Sequence, residues 1–329
     1  MSSRRSLVMA VALLALAAAP LTAQPRTADI EKRGLKASDF PRLGKIAENV
    51  YTFEGIHPPN FTTVSLIVVG SDGVLIADGQ GSPRETQSML DAIKTITPKP
   101  VKWYVVGSEH GDHTAGNSVL PKDITFIIHP HSLAQMQRDA ATVMGQNLKA
   151  AAEAMTKGGA PPTLRPAVIV PPTAMTGDRE TIDVGGFEVQ VAFLGRAHTG
   201  GDLTVYLPKQ RFLFMSEVYL NRVFPAMRSA YPSEWVRTID RALAMDIDRY
   251  LPGHGFIEEP KVAREELVEF QKAVTAVIAE VTRLHRLGLS VDDAVAQANW
   301  GPYAGWYLRE QQAPIAVRRI YEELEGRLR

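Results

Sequence analysis

The chain has 329 residues, 45% of them hydrophobic, enough for one large domain or two small ones. Its 36 basic and 36 acidic residues cancel to a formal net charge of zero, which argues against a nucleic-acid partner or an anionic membrane surface. It has no cysteine, so disulfides, thiolate ligands and cysteine nucleophiles are excluded together.

At the start, Arg4 and Arg5 precede an apolar run from Leu7 to Leu21, and Leu21-Thr22-Ala23 offers small residues for cleavage. Residues 1–23 therefore read as a signal peptide, which places the mature chain in the periplasm or outside the cell. Ser3-Arg4-Arg5-Ser6-Leu7 partly matches a twin-arginine signal. The run is short and Ala-rich for a membrane span, and no later stretch is long enough for one. A retained anchor is the alternative reading.

Residues 24–45 are polar, without clear period, and read as an exposed lead-in. Strands are expected over 50–53 and 63–69, joined by a loop carrying His57-Pro58-Pro59-Asn60, and over 74–77, ending at Asp78-Gly79. An amphipathic helix follows over 84–95, with Met89, Leu90 and Ile93 on one face. Strands over 102–106 and 124–128 run into His110 and into His129-Pro130-His131-Ser132, with Ser132 placed to cap a helix over 133–157. Met144, Met155 and Met175 read as ordinary packing. A Gly- and Pro-rich stretch over 158–172 reads as a surface loop.

Strands resume over 181–184, 187–193, 203–207 and 212–215, then a helix over 232–245 and a short strand at Tyr250-Leu251. Helices are expected over 262–287, 291–298 and 314–328. Two batches of strands, each interleaved with helices, suggest two packed sheets with helices outside.

Chemistry concentrates in three blocks, each behind a strand: His110-Gly111-Asp112-His113, His198-Thr199-Gly200-Gly201-Asp202, and Pro252-Gly253-His254-Gly255. Imidazoles and a carboxylate delivered from several strand ends are what a metal site requires. No Gly-x-Ser-x-Gly is present for a serine nucleophile.

In this order, the three blocks resemble the metallo-β-lactamase superfamily. The segments 49–53, 75–79 and 202–208 agree with it. The similarity spans about residues 46–258, leaving 259–329 as a C-terminal helical extension packed on that domain. The resemblance implies an α/β fold, a four-layer αββα sandwich of two mixed sheets flanked by helices, with a metal site at one rim. It carries ligand roles to His110, Asp112, His113, His198 and His254, and a bridging role to Glu217, where glyoxalase-type relatives use aspartate.

The first histidine of the family pattern falls on Ser108. A neutral hydroxyl is a poor zinc ligand beside imidazole, so one metal position keeps all its ligands and the other is weakened. Either Glu217 or Glu109 could compensate; otherwise the enzyme runs on one ion. Asp78 is placed to hydrogen-bond a ligand histidine. His57, His131 and Tyr219 are candidate substrate contacts, with Phe224 and Tyr231 adding an apolar wall. The clustered Trp300, Tyr303, Trp306 and Tyr307 read as core, as a cap on the site or as a homodimer surface.

The resemblance implies an exported zinc hydrolase, holding one or two Zn²⁺ with Mn or Fe as substitutes. Asp112 would act as ligand and as orienter of a metal-bound hydroxide. The expected small-molecule substrate is an ester, lactone or β-lactam. The competing readings are a non-catalytic ligand-binding protein with a decayed site, and a metal-dependent oxidoreductase.

Overall fold

The computed structural model describes residues 25–157 and 163–328. The signal peptide expected over 1–23 lies outside the described residues. The first half of the chain runs β1 (Arg42–Ala47), β2 (Val50–His57), β3 (Phe61–Val69), β4 (Val74–Ala77), α1 (Pro83–Ile96), β5 (Val101–Val105), α2 (Gly111–Thr114), β6 (Thr125–Ile127) and α3 (Pro130–Lys157). The second half runs β7 (Arg179–Asp183), β8 (Glu188–Ala192), β9 (Thr204–Leu207), β10 (Phe212–Phe214), α4 (Pro232–Leu243), β11 (Arg249–Leu251), α5 (Pro260–Arg286), α6 (Val291–Gln297) and α7 (Arg309–Leu324).

Strands β1 to β6 form one sheet in sequence order, and the other has the order β11-β10-β9-β8-β7. Both are mixed: β4, β5 and β6 run parallel, as do β10 and β11, while the remaining pairs are antiparallel.

Side-chain alternation builds the layers. Along β3 and β4, Val64, Leu66, Val68, Leu75 and Ala77 face the other sheet and meet Val189, Val191, Val205 and Leu251. The intervening Ile67, Val69, Val74 and Ile76 face outward onto Met89, Leu90 and Ile93 of α1. That helix starts where Ser82 accepts the Glu85 N–H and Pro83 occupies the first turn. On the outer face of the second sheet, Leu213 and Met215 share a cluster with Trp235 and Ile239 of α4, Phe270, Val274 and Val277 of α5, and Val317 and Ile320 of α7. The result is the αββα sandwich expected, with the C-terminal helices forming part of an outer layer.

Four expectations need correction. The lead-in is docked rather than exposed, because Ala28, Ile30 and Phe40 are buried and Ile30 packs with Phe256. The last helix begins at Arg309, five residues before Pro314, which sits inside it near the N-terminus. The outer half of α3 is not core, since Met144 and Met155 are exposed; Met175 is buried as expected. Ser132 does not cap α3; its hydroxyl donates to Glu109 Oε2 at 2.7 Å, and its Oγ lies 3.1 Å from the Gly201 carbonyl oxygen.

Trp235 is the largest fully buried side chain, and its indole N–H donates to the Val218 carbonyl at 2.9 Å. Trp235→Ala is expected to lower unfolding free energy by about 3–5 kcal/mol, through lost burial, a cavity and an orphaned carbonyl. Chemical denaturation against the parent protein measures the loss.

Candidate metal centre

All the chemical residues gather at the end of the sandwich where β4, β5, β10 and β11 finish. After β5, the chain turns into the single-turn α2, where the Thr114 hydroxyl donates to the His110 carbonyl at 3.0 Å. Adjacent Asp112 and His113 therefore project in different directions about one axis. After β8, the His198 loop is tied by Asp202, whose carboxyl oxygens accept from the Thr199 N–H and hydroxyl, each at 2.7 Å. Burial raises the Asp202 pKa to about 8, assisted by the Glu109 carboxylate nearby.

Glu217 sits in a short turn after β10, and His254 follows β11. These two segments pack against each other closely: the Gly253 N–H donates to the Ser216 carbonyl at 2.7 Å, and a Cβ at 253 would lie 2.5 Å from the Ser216 carbonyl carbon. Only glycine fits there without movement of backbone.

Two groups of donors result. Asp112, His113, Glu217 and His254 form one, and His110, His198 and Glu217 the other, each group's donor atoms lying within 4.8 Å of one another. Glu217 belongs to both. Its Oε1 is 3.1 Å from His198 Nε2 and 3.2 Å from His254 Nε2, and its Oε2 is 2.9 Å from His110 Nδ1. Asp112 Oδ2 lies 3.1 Å from His254 Nε2.

The surroundings fix how the rings face. His254 Nδ1 lies 2.6 Å from the Thr62 carbonyl, which only an N–H can satisfy. His113 Nδ1 lies 3.0 Å from Asp78 Oδ2, so its proton belongs on that side as well. Asp78 is itself anchored by the Gly107 N–H at 2.7 Å and the Ser216 hydroxyl at 2.5 Å. The inward Nε2 atoms of His113 and His254 are then lone-pair bearers, and they stand only 3.1 Å apart. Two facing lone pairs with carboxylates on either side fit a bound cation. Nitrogen and carboxylate donors without thiolate suit zinc, manganese or iron.

Without a cation the carboxylates draw protons onto the rings. Burial opposes charging of His110, but the Glu217 carboxylate overrides it and lifts the pKa to about 9. His113 is raised well above its ordinary value in the same way, burial being outweighed by Asp78 and Asp112. His198 goes the other way, because burial dominates. Burial also opposes ionisation of Asp112 and Glu217, yet the neighbouring histidines hold both below the usual carboxylate range.

The other expected site residues divide. His57 stands at the rim; its ring packs on Gly81 and on Phe61 (5.2 Å between centroids), and burial keeps it neutral. His131 packs on Gly200 in the His198 loop, with Tyr231 6.4 Å away, and its pKa too is lowered by burial. Glu109 is not a compensating ligand, because its carboxylate points to Ser132 rather than into the centre. Tyr219 is not a substrate contact; it is buried against Phe270 in the outer-layer core. Phe224 is likewise buried, beside Trp300. Ser108 does face the centre, where its hydroxyl donates to Glu217 Oε2 at 2.5 Å. Sequence reasoning missed Ser216, the Thr62 carbonyl, Ser229 (3.2 Å from His110 Nε2), and the stacking of Phe61 on His254 at 4.1 Å.

A family model described as the metallo-beta-lactamase superfamily matches residues 57–254. The chain belongs to that superfamily, and its sandwich is the fold of that family. At 24% identity it is similar to the 2,4-dinitroanisole O-demethylase subunit alpha of Nocardioides sp. (strain JS1661), over 70% of this chain and 62% of the relative. At 23% it is similar to a linear primary-alkylsulfatase of Pseudomonas sp. (strain ATCC 19151), over 79% and 55%. The chain thus spans little more than half the length of these curated relatives.

Among solved structures, the stereoselective inverting sec-alkylsulfatase Pisa1 from Pseudomonas sp. aligns with TM-score 0.65 at 16% identity, covering 88% of this chain and 51% of that one. A metallo-beta-lactamase from Pontibacter korlensis aligns with TM-score 0.55 at 20% identity, covering 71% and 98%.

Two outcomes follow for the centre. Asp78→Ala is expected to weaken metal affinity about 10- to 100-fold by releasing the His113 ring, measurable by metal titration with a chelator indicator. In the metal-free protein, the raised His110 pKa contributes stability that is complete below pH 6.5 and lost as pH rises through about 9. The apoprotein should melt lower at pH 9 than at pH 6.5, while stabilisation by added zinc widens over that range, because fewer protons must be displaced. Differential scanning calorimetry with and without zinc reads both.

Proposed function

We propose that the protein is an exported, zinc-dependent hydrolase of ester-type bonds. The observation that carries this reading is the pair of inward imidazole nitrogens, 3.1 Å apart and flanked by Asp112 and the shared Glu217. A bound divalent cation supplies Lewis acidity and brings the pKa of water from 15.7 to about 7. His113, Asp112, His254 and Glu217 would hold one ion, and His110, His198 and Glu217 a second.

The remaining residues do the positioning. Asp112 is the most open of the donors, its side chain 26% exposed against 4% for Glu217 and 1% for His254. It is therefore the carboxylate placed to orient an attacking water at the mouth of the site. Phe61 covers one face of His254 and keeps water from that side. His57, whose pKa is lowered by burial, stands at the rim where it is placed to contact the substrate.

Esters, lactones and β-lactams all fit such a centre. Sulfate esters join them on the likeness to the alkylsulfatases, whose match extends over more of this chain than that of the lactamase. Export rests on the leader-like residues 1–23, and it disfavours cytosolic thioesters as substrates.

The first experiment is metal analysis of the purified protein by mass spectrometry, with His254→Ala as control, followed by a panel of esters, lactones, β-lactams and alkyl sulfates. One or two equivalents of zinc, lost in the variant, together with turnover of one class, is the expected result. No metal after reconstitution with zinc, manganese or iron would sink the hydrolase reading. Retained metal with no turnover anywhere in the panel would favour a ligand-binding protein.

A further inference from the structure

The two ends of the centre differ by one donor, four side chains against three. The difference traces to residue 108. Ser108 is fully buried, its hydroxyl donates to Glu217 Oε2 at 2.5 Å, and its Oγ accepts the His110 backbone N–H at 3.3 Å. A serine has one proton to give, and here it is committed to the carboxylate that both ends share.

Glu217 has one more rotatable bond than aspartate, and nothing in its own backbone fixes how its carboxylate turns. The Ser108 hydroxyl and the His110 ring together hold one of its oxygens. With Oε2 pinned between Ser108 and His110 Nδ1 (2.9 Å), Oε1 is left facing His198 at 3.1 Å, His254 at 3.2 Å and His113 at 3.8 Å. A hydroxyl-to-carboxylate bond in a water-excluded site is among the stronger hydrogen bonds a protein makes.

We infer that Ser108 is a positioning residue: it holds Glu217 in its bridging pose and, by standing where a fourth donor would be, leaves the His110–His198 end as the weaker of two unequal metal positions. The inference rests on the metal-centre reading proposed above. It assigns Ser108 a job through Glu217, distinct from the ligand role it cannot fill.

The test is a zinc titration of the metal-free full chain by calorimetry, repeated with cobalt(II) followed by its visible absorption. The parent protein is expected to show two classes of site at least about tenfold apart. In Ser108→Ala the tight class stays, while the weak class loses about tenfold in affinity and its cobalt bands shift. Ser108→Thr, which keeps the hydroxyl, restores the parent pattern. Ser108→His, which adds a donor, brings the two classes together.

Equal weakening of both classes in Ser108→Ala, or no change in either, overturns the inference while leaving the metal hydrolase reading intact. A parent protein that binds no metal overturns both.

Discussion

Four imidazoles and two carboxylates are forced into one small volume at the rim of the sandwich, with several of their donor atoms close to 3 Å apart. In water such a set would spread apart, since lone pairs and anionic oxygens repel. Here each ring is held from behind. The Thr62 carbonyl takes His254, Asp78 takes His113, Ser229 takes His110, and Trp235 stands edge-on to His198 at 5.3 Å. The scaffold thus imposes a crowding that a cation or a set of protons must relieve. Protons and a bound cation would therefore compete throughout this site.

The architecture supplies the stiffness that such crowding requires. Every donor follows a strand end, and those strands are sealed between two apolar layers. Cross-links tie the loops: Thr63 bridges to His254 in antiparallel fashion, Leu220 bridges to it in parallel, and Asp78 is shared by Gly107, Ser216 and His113. Asp78 has a left-handed φ of 62°, an unfavourable conformation that three partners maintain. The C-terminal helices add a further restraint, because the Tyr307 hydroxyl donates to the Pro59 carbonyl at 2.7 Å and so clamps the turn between His57 and Phe61. Trp235 meets both His198 and Phe270 of α5, joining the outer-layer core directly to the centre.

Much of this could be read from residues alone, and the failures have physical causes. The strands were legible because β3 ends in an apolar run and β4 is apolar throughout, with a turn between them, and the ligand blocks because imidazoles after strands are rare by chance. β1 was hidden by polar residues at a sheet edge, where burial does not select for apolar side chains. The buried lead-in was missed because only a few scattered apolar residues of a polar segment dock, Ala28, Ile30, Leu35 and Phe40 among them. Tyr219 lies two residues from Glu217, but the intervening turn sends its ring toward α5. Asp78 was recoverable from the family resemblance. Ser216, Ser229 and the Thr62 carbonyl were not, because ordinary hydroxyls and carbonyls carry no signal until the fold delivers them.

The contrast between Ser108 and Glu109 shows how far local geometry decides chemistry. They are neighbours in the chain, and by charge alone Glu109 is the better metal ligand. The Ser108 Oγ accepts the His110 backbone N–H at 3.3 Å, so this side chain is turned toward residue 110. Ser108 and His110 accordingly meet the same oxygen of Glu217, and Glu109 meets Ser132 on the far side. The Glu109 carboxylate belongs to neither group of donors. What stands at position 108 therefore acts on the centre through Glu217, the carboxylate that belongs to both groups of donors. Asp112 is the donor nearest to solvent, and Gly81 and His57 lie beside it.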